Sequence, residues 1–290
     1  MRLDGRRQSN NVDDRRGRGG IGGKLAGGGI VAVVVAAIFA WISGGNPLDV
    51  ITSQGGALLG GGSTQTEEYV PTEQEEELAV FARQILAGTE DVWSEIFRQN
   101  GLEYEPPKLV LFNGSVQSGC GGATSQTGPF YCSADRSVYL DLSFFTDMKR
   151  TLGADGDFAY AYVIAHEVGH HVQNLLGTLD QAHQQMARMS ETEANKISVR
   201  LELQADFYAG VWANHDNKRF NSLEPGDIEE ALDAASKIGD DYLQKRAQGY
   251  AVPDSFNHGT SAQREKWLRK GLSTGNPADG DTFTPAYSAL

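Results

Sequence analysis

The chain has 290 residues, 40% of them hydrophobic and 22% charged, which is enough length and apolar content to bury a core and excludes a disordered polymer. The net charge of −13 is unevenly placed: residues 1–24 carry seven bases against three acids, a local +4 that leaves −17 for the remainder. A body this acidic repels phosphate backbones, which argues against nucleic-acid binding, and two cysteines cannot build a thiolate zinc cluster or a four-cysteine iron–sulfur centre.

Residues 1–24 read as a basic arm. No charge occurs between Lys24 and Asp49, and Leu25 to Ile42 is an apolar run of 18 residues. As a helix it would rise about 27 Å, close to a hydrocarbon thickness of about 30 Å. The favoured reading is a single-pass signal anchor over residues 25–43 in the inner (cytoplasmic) membrane, with the arm cytoplasmic and everything after it outside. A cleaved signal ending near Ser43 and Gly45, or a buried core helix, are the alternatives. The arm is long for the first, and the glycine-rich tract that follows it speaks against the second. Residues 44–70, with Gly55–Gly56 and Gly60–Gly61–Gly62, form a flexible tether. Residues 71–290 are the folded body.

Within the body, apolar spacing predicts helices over 73–87 and 90–99, the second presenting Trp93, Ile96 and Phe97. Strands follow at Lys108 to Asn113 and Ser137 to Leu142, separated by a long loop over 114–136. Further helices are expected over 157–176, 181–214 (with a break) and 226–246, where Ile228, Ala231, Leu232, Ala235 and Ile238 make a buried stripe. The fold class is α+β, mostly helical, with a small sheet beside the helices. Cys120 and Cys132 bracket the long loop; in an extracytoplasmic body they pair as a disulfide, the alternative being two buried thiols.

The chemistry concentrates in Ala161-Tyr-Val-Ile-Ala-His166-Glu167-Val168-Gly169-His170-His171. His166 and His170 lie four apart on one helical face, able to hold one Zn²⁺ through two imidazoles. Glu167 follows the first ligand and sits beside the metal without ligating it, where a general base acting on zinc-activated water belongs. Glu202 and Asp206 are also four apart, in a helix whose neighbours Leu201, Leu203, Ala205 and Phe207 imply burial. A buried unpaired carboxylate is costly, so Glu202 reads as the third ligand and Asp206 as the acceptor for a ligand imidazole. Gly169 inside a helix costs about 1 kcal/mol relative to Ala; close approach by the Glu202 helix would justify it, and simple tolerance is the alternative. His171 points off the ligand face and reads as structural, while His183 and His215 read as surface residues.

The motifs H-E-V-G-H-H-V-Q and E-L-Q-A-D, with C-G-G-A…G-P-F-Y-C, V-Y-L-D-L-S-F-F and N-H-G-T-S-A-Q-R, resemble the neutral zinc metallopeptidase family, the YpfJ-like peptidases of bacterial envelopes. The resemblance covers nearly the whole chain; one departure is Ser133, where proline is expected after the second cysteine. It implies a zincin-like, minigluzincin-type domain with one zinc per chain on His166, His170 and Glu202, Glu167 as catalyst, and a peptide or protein substrate. It also implies an edge strand near Val138–Asp141 for the extended substrate. His258 heads His-Gly-x-x-x-x-Arg264, similar to a stretch near the site of related membrane-associated gluzincins, and is a candidate to stabilise the oxyanion, ahead of Tyr208 and Tyr250. Two other functions compete: a membrane-tethered zinc-binding adaptor with a weak or dead site, and a zinc amidase acting on cell-wall peptides.

Overall fold

The computed structural model describes residues 1–17 and 69–290. The expected anchor over 25–43 and nearly all of the expected tether over 44–70 lie outside the described residues. Among the described residues no helix is long and apolar enough to cross a membrane.

Thr72 opens helix α1 (Glu73–Gln99): its hydroxyl accepts from the Glu75 amide at 3.2 Å while the Glu75 carboxylate accepts from the Thr72 amide at 2.8 Å. This reciprocal cap fixes the start, and the acidic run fills the first turn, where carboxylates complement the helix dipole. The two helices expected over 73–99 are one. Gly88 does not break it; a Cβ there would lie 2.9 Å from Arg6 Nη2 and 3.0 Å from Asp216 Oδ1, so this glycine makes room for side chains.

Four strands form the main sheet, in the order β1 (Val12–Asp14), β2 (Lys108–Phe112), β6 (Ser137–Asp141), β5 (Phe130–Cys132). β1 and β6 run parallel to β2, and β5 runs antiparallel to β6. The segment expected as a loop over 114–136 contains β5 and a separate hairpin, β3 (Ser115–Ser118) with β4 (Gly121–Thr124). β6 is therefore not an edge strand: β2 and β5 flank it, all five of its residues are buried, and the margin on that side is β5.

The N-terminal arm departs most from expectation. Residues 1–17 are part of the body, with β1 hydrogen-bonded to β2 through Leu109 N–H to Asn11 O at 2.8 Å and Arg15 N–H to Leu111 O at 2.8 Å.

After β6 and the short α2 (Ser143–Asp147) comes α3 (Asp157–Leu175), the helix carrying His166, His170 and His171, then α4 (Thr178–Met186) and the 30-residue α5 (Glu191–Phe220). The span expected over 226–246 is two helices, α6 (Asp227–Lys237) and α7 (Asp240–Gln248), separated at Gly239. In the predicted stripe Ala231, Leu232 and Ala235 are buried, but Ile228 is exposed. A last helix, α8 (Ser261–Thr274), was not anticipated; it starts on a second reciprocal cap, Thr260 with Gln263. α3 packs on α5, α5 packs on α8, and α6, α1, α4 and the sheet also pack on α3. The core runs through Trp93, Phe158, Tyr162, Phe207 and Trp212, all essentially water-free.

Candidate metal centre and active site

α3 and α5 cross where both carry small residues. A Cβ on Gly169 would lie 2.9 Å from the Ala205 carbonyl oxygen and 3.0 Å from its Cα, so only glycine allows this approach. The crossing brings the His166–His170 face of α3 against the Glu202–Asp206 face of α5. Candidate ligand atoms of His166, His170 and Glu202 all lie within 4.8 Å of one another. His166 Nε2 stands 3.2 Å from one Glu202 oxygen and His170 Nε2 stands 3.4 Å from the other. Bonds of about 2 Å to a tetrahedral ion place ligand atoms a little over 3 Å apart, so the spacing suits one zinc ion.

The other ring nitrogens are already engaged. His166 Nδ1 lies 2.8 Å from Asp206 Oδ1, and His170 Nδ1 lies 2.9 Å from Gln173 Oε1. Each acceptor holds its imidazole as the tautomer with a proton on Nδ1, leaving the Nε2 lone pairs to converge. Asp206 is fully buried and is itself braced by Arg264, whose Nε and Nη2 donate to its two oxygens at 2.8 and 2.9 Å, and by the Tyr162 hydroxyl at 2.6 Å. Gln173 donates to Leu201 O at 2.7 Å and to Gln204 Oε1 at 3.1 Å.

The electrostatics ask for a cation. Burial pushes the Glu202 carboxyl up, but the imidazoles of His170 and His166 more than reverse this and hold it well below the usual range. Burial opposes the His166 imidazolium, yet Asp206 and Glu202 outweigh it and raise its pKa to about 10. Without a metal, the carboxylate pair draws a proton onto His166; a divalent ion would supply positive charge there with the imidazoles neutral. Glu167 is buried, and that burial, partly offset by His166 and His170, raises its pKa above the ordinary carboxylate value.

His258 is held by Asp240: the carboxylate accepts its backbone N–H at 2.7 Å and stands 3.2 Å from Nδ1. Burial opposes its charged form, but Asp240 and then Glu202 outweigh it and raise its pKa. Of the other two candidates, Tyr250 is exposed, and Tyr208 packs edge-on against Trp93 and lines a depression of about 410 Å³ with Gln204 and Phe283, containing none of the ligand side chains.

His171 is structural, as expected: its Nε2–H donates to Glu105 O at 2.7 Å, leaving Nδ1 to accept from the Tyr131 hydroxyl at 2.9 Å. Burial lowers its pKa to about 4, which suits a neutral ring. Tyr131 belongs to β5, so this contact ties the sheet margin to α3. Cys120 and Cys132 form a disulfide that joins the β3–β4 turn to β5. His183 is exposed, whereas His215 is half-buried with Nε2 donating to Gly275 O at 2.7 Å. Reasoning from sequence missed Gln173 and Asp240. The spacing of Gln173, three residues after His170 on one helical face, was a usable signal; Asp240 had none, because only the folded turn at Gly239 brings it to His258.

The chain is 47% identical over 291 residues to "Uncharacterized protein YpfJ" of Escherichia coli (strain K12), covering 98% of this chain and 99% of that protein. It is 45% identical over 193 residues to "Uncharacterized protein Rv2575" of Mycobacterium tuberculosis (strain ATCC 25618 / H37Rv), covering 63% of this chain and 64% of that one. No solved structure matches it. Residues 1–283 match the family described as "Putative neutral zinc metallopeptidase", and the chain belongs to that family.

Proposed function

We propose that the protein is a zinc-dependent peptidase that hydrolyses a peptide bond with Glu167 as general base, binding one zinc ion through His166, His170 and Glu202. The observation that carries this reading is the buried Glu167 carboxyl, one residue from a three-ligand cluster whose imidazoles are both oriented from behind. A bound zinc would polarise the scissile carbonyl and lower the pKa of the attacking water. Glu167 takes the proton released by that water, and its raised pKa lets it hold the proton until the leaving amine accepts it. His258, fixed by Asp240, is the donor for the developing oxyanion. The extended substrate aligns along β5, which replaces β6 as the sheet margin nearest α3. The Cys120–Cys132 bridge supports a location outside the cytoplasm.

An adaptor would need the ligands and not a buried base beside them, so Glu167 favours the enzyme over that alternative. An amidase acting on cell-wall peptides would use the same groups. Glu167→Gln tests the reading against a peptide library: zinc and fold should be retained while hydrolysis falls at least about 10²-fold. Unchanged hydrolysis would contradict it.

A further inference from the structure

We infer that residues 1–17 and the metallopeptidase body occupy the same side of the membrane, so the apolar stretch over 25–43 is not a single-pass anchor that separates them. Neighbouring strands lie about 5 Å apart, whereas a hydrocarbon core is about 30 Å thick, so a strand cannot pair across a bilayer. β1 is paired: Val12, Asp13 and Asp14 register with Leu109, Val110 and Leu111 in the sheet that supports α3.

The arm is bound along its whole described length. Arg6 makes a two-pronged ion pair with Asp216, at 2.6 and 3.2 Å, with the Asp216 side chain 1% exposed, and its guanidinium lies 3.8 Å above the Phe220 ring. Arg7 pairs with Asp91 at 2.6 Å and Glu90 at 2.9 Å. Arg16 pairs with Glu76 at 2.8 Å, and the buried Ser9 and the side chain of Asn11 both donate to Glu90. The five arginines of residues 1–17 are all paired with carboxylates. The charge of Arg2, Arg6, Arg7 and Arg16, which reads as part of a cytoplasmic retention signal, is thus explained by complementarity to carboxylates of the body, while Arg15 pairs with Asp13 of the arm itself.

The two ends of the intervening stretch also meet. Gly17, at φ +73°, lies so close to Tyr69 that a Cβ there would be 2.5 Å from its side chain. The chain leaves the body and rejoins it at one point. An odd number of membrane crossings between Gly17 and Tyr69 would pull these residues onto opposite sides and strip β1 from the sheet.

The test uses the full chain in intact cells, with a cysteine placed singly at the exposed positions Asp4 and Ala247. Each variant is labelled with a membrane-impermeant maleimide before and after permeabilisation, above the wild-type background. The two sites should behave alike, both labelled in intact cells or both protected. One site labelled and the other protected would overturn the inference. A second variant tests docking independently: Arg6→Glu leaves Asp216 buried beside a like charge and should lower the Tm by about 5–10 °C. An unchanged Tm would show that the arm is not seated and would overturn it as well.

Discussion

His166 and Asp206, forty residues apart in sequence, meet at 2.8 Å between Nδ1 and Oδ1 inside the core. Asp206 can stay ionised there because Arg264 grips both of its oxygens; burial alone would push its pKa up, and Arg264 with His166 brings it below the ordinary value. The ligand imidazole is thus aimed by a chain of charges running from α8 through α5 to α3.

Asp206→Asn removes the negative charge behind the His166 imidazole, and Gln173→Ala removes the acceptor behind that of His170. Either change should weaken zinc binding by about 10–100-fold, measured by competition with a chromogenic chelator. Wild-type affinity in both variants would mean that the rings are oriented by packing alone.

Gly169→Ala gains about 1 kcal/mol of helix propensity and places a methyl group 2.9 Å from the Ala205 carbonyl. Overpacking should dominate, with a net loss of about 1–3 kcal/mol in urea unfolding and a fall in zinc affinity as the two helices separate. A stabilised variant would show that the crossing is not close-packed.

His258→Ala should lower kcat/KM by about 10²–10³-fold while leaving one zinc per chain, since His258 is held by Asp240 and is not among the ligands. Loss of zinc together with activity would point to a structural role.

Asp14 supplies a pH test for the arm. Burial raises its pKa, but hydrogen bonds from Arg16 and the charges of Arg16 and Arg83 more than reverse this, so the folded value lies below 3.8. Its stabilisation is present above the unfolded pKa and lost as pH falls through the folded one. Asp14→Asn should cost about 1 kcal/mol at pH 7, and chemical-denaturation curves of the two proteins should converge below about pH 4. A gap that persists in acid would remove the ion pair as its cause.

The sequence made the candidate metal centre legible because the proposed ligands recur at four-residue spacing within two helices, and helical periodicity is a local property. His166, His170, Glu202 and Asp206 therefore emerged without tertiary knowledge. What stayed hidden depends on contacts between distant segments. β1 could not be read, since three residues rich in charge carry no strand pattern and pair only because β2 offers an edge. β6 looked like an edge until Phe130–Cys132 proved to be a strand, too short to register. The arm's arginines matched a topology rule as well as they match Asp216 and Glu90, and only the fold distinguishes the two.

The central claim is that His166, His170 and Glu202 hold one catalytic zinc. Metal analysis by inductively coupled plasma mass spectrometry on the purified full chain and its Glu202→Ala variant tests it most directly. About one zinc per wild-type chain, lost in the variant while its circular dichroism spectrum is unchanged, is the expected result. A wild-type chain purified without chelators that carries no zinc and takes up none on addition would contradict the claim.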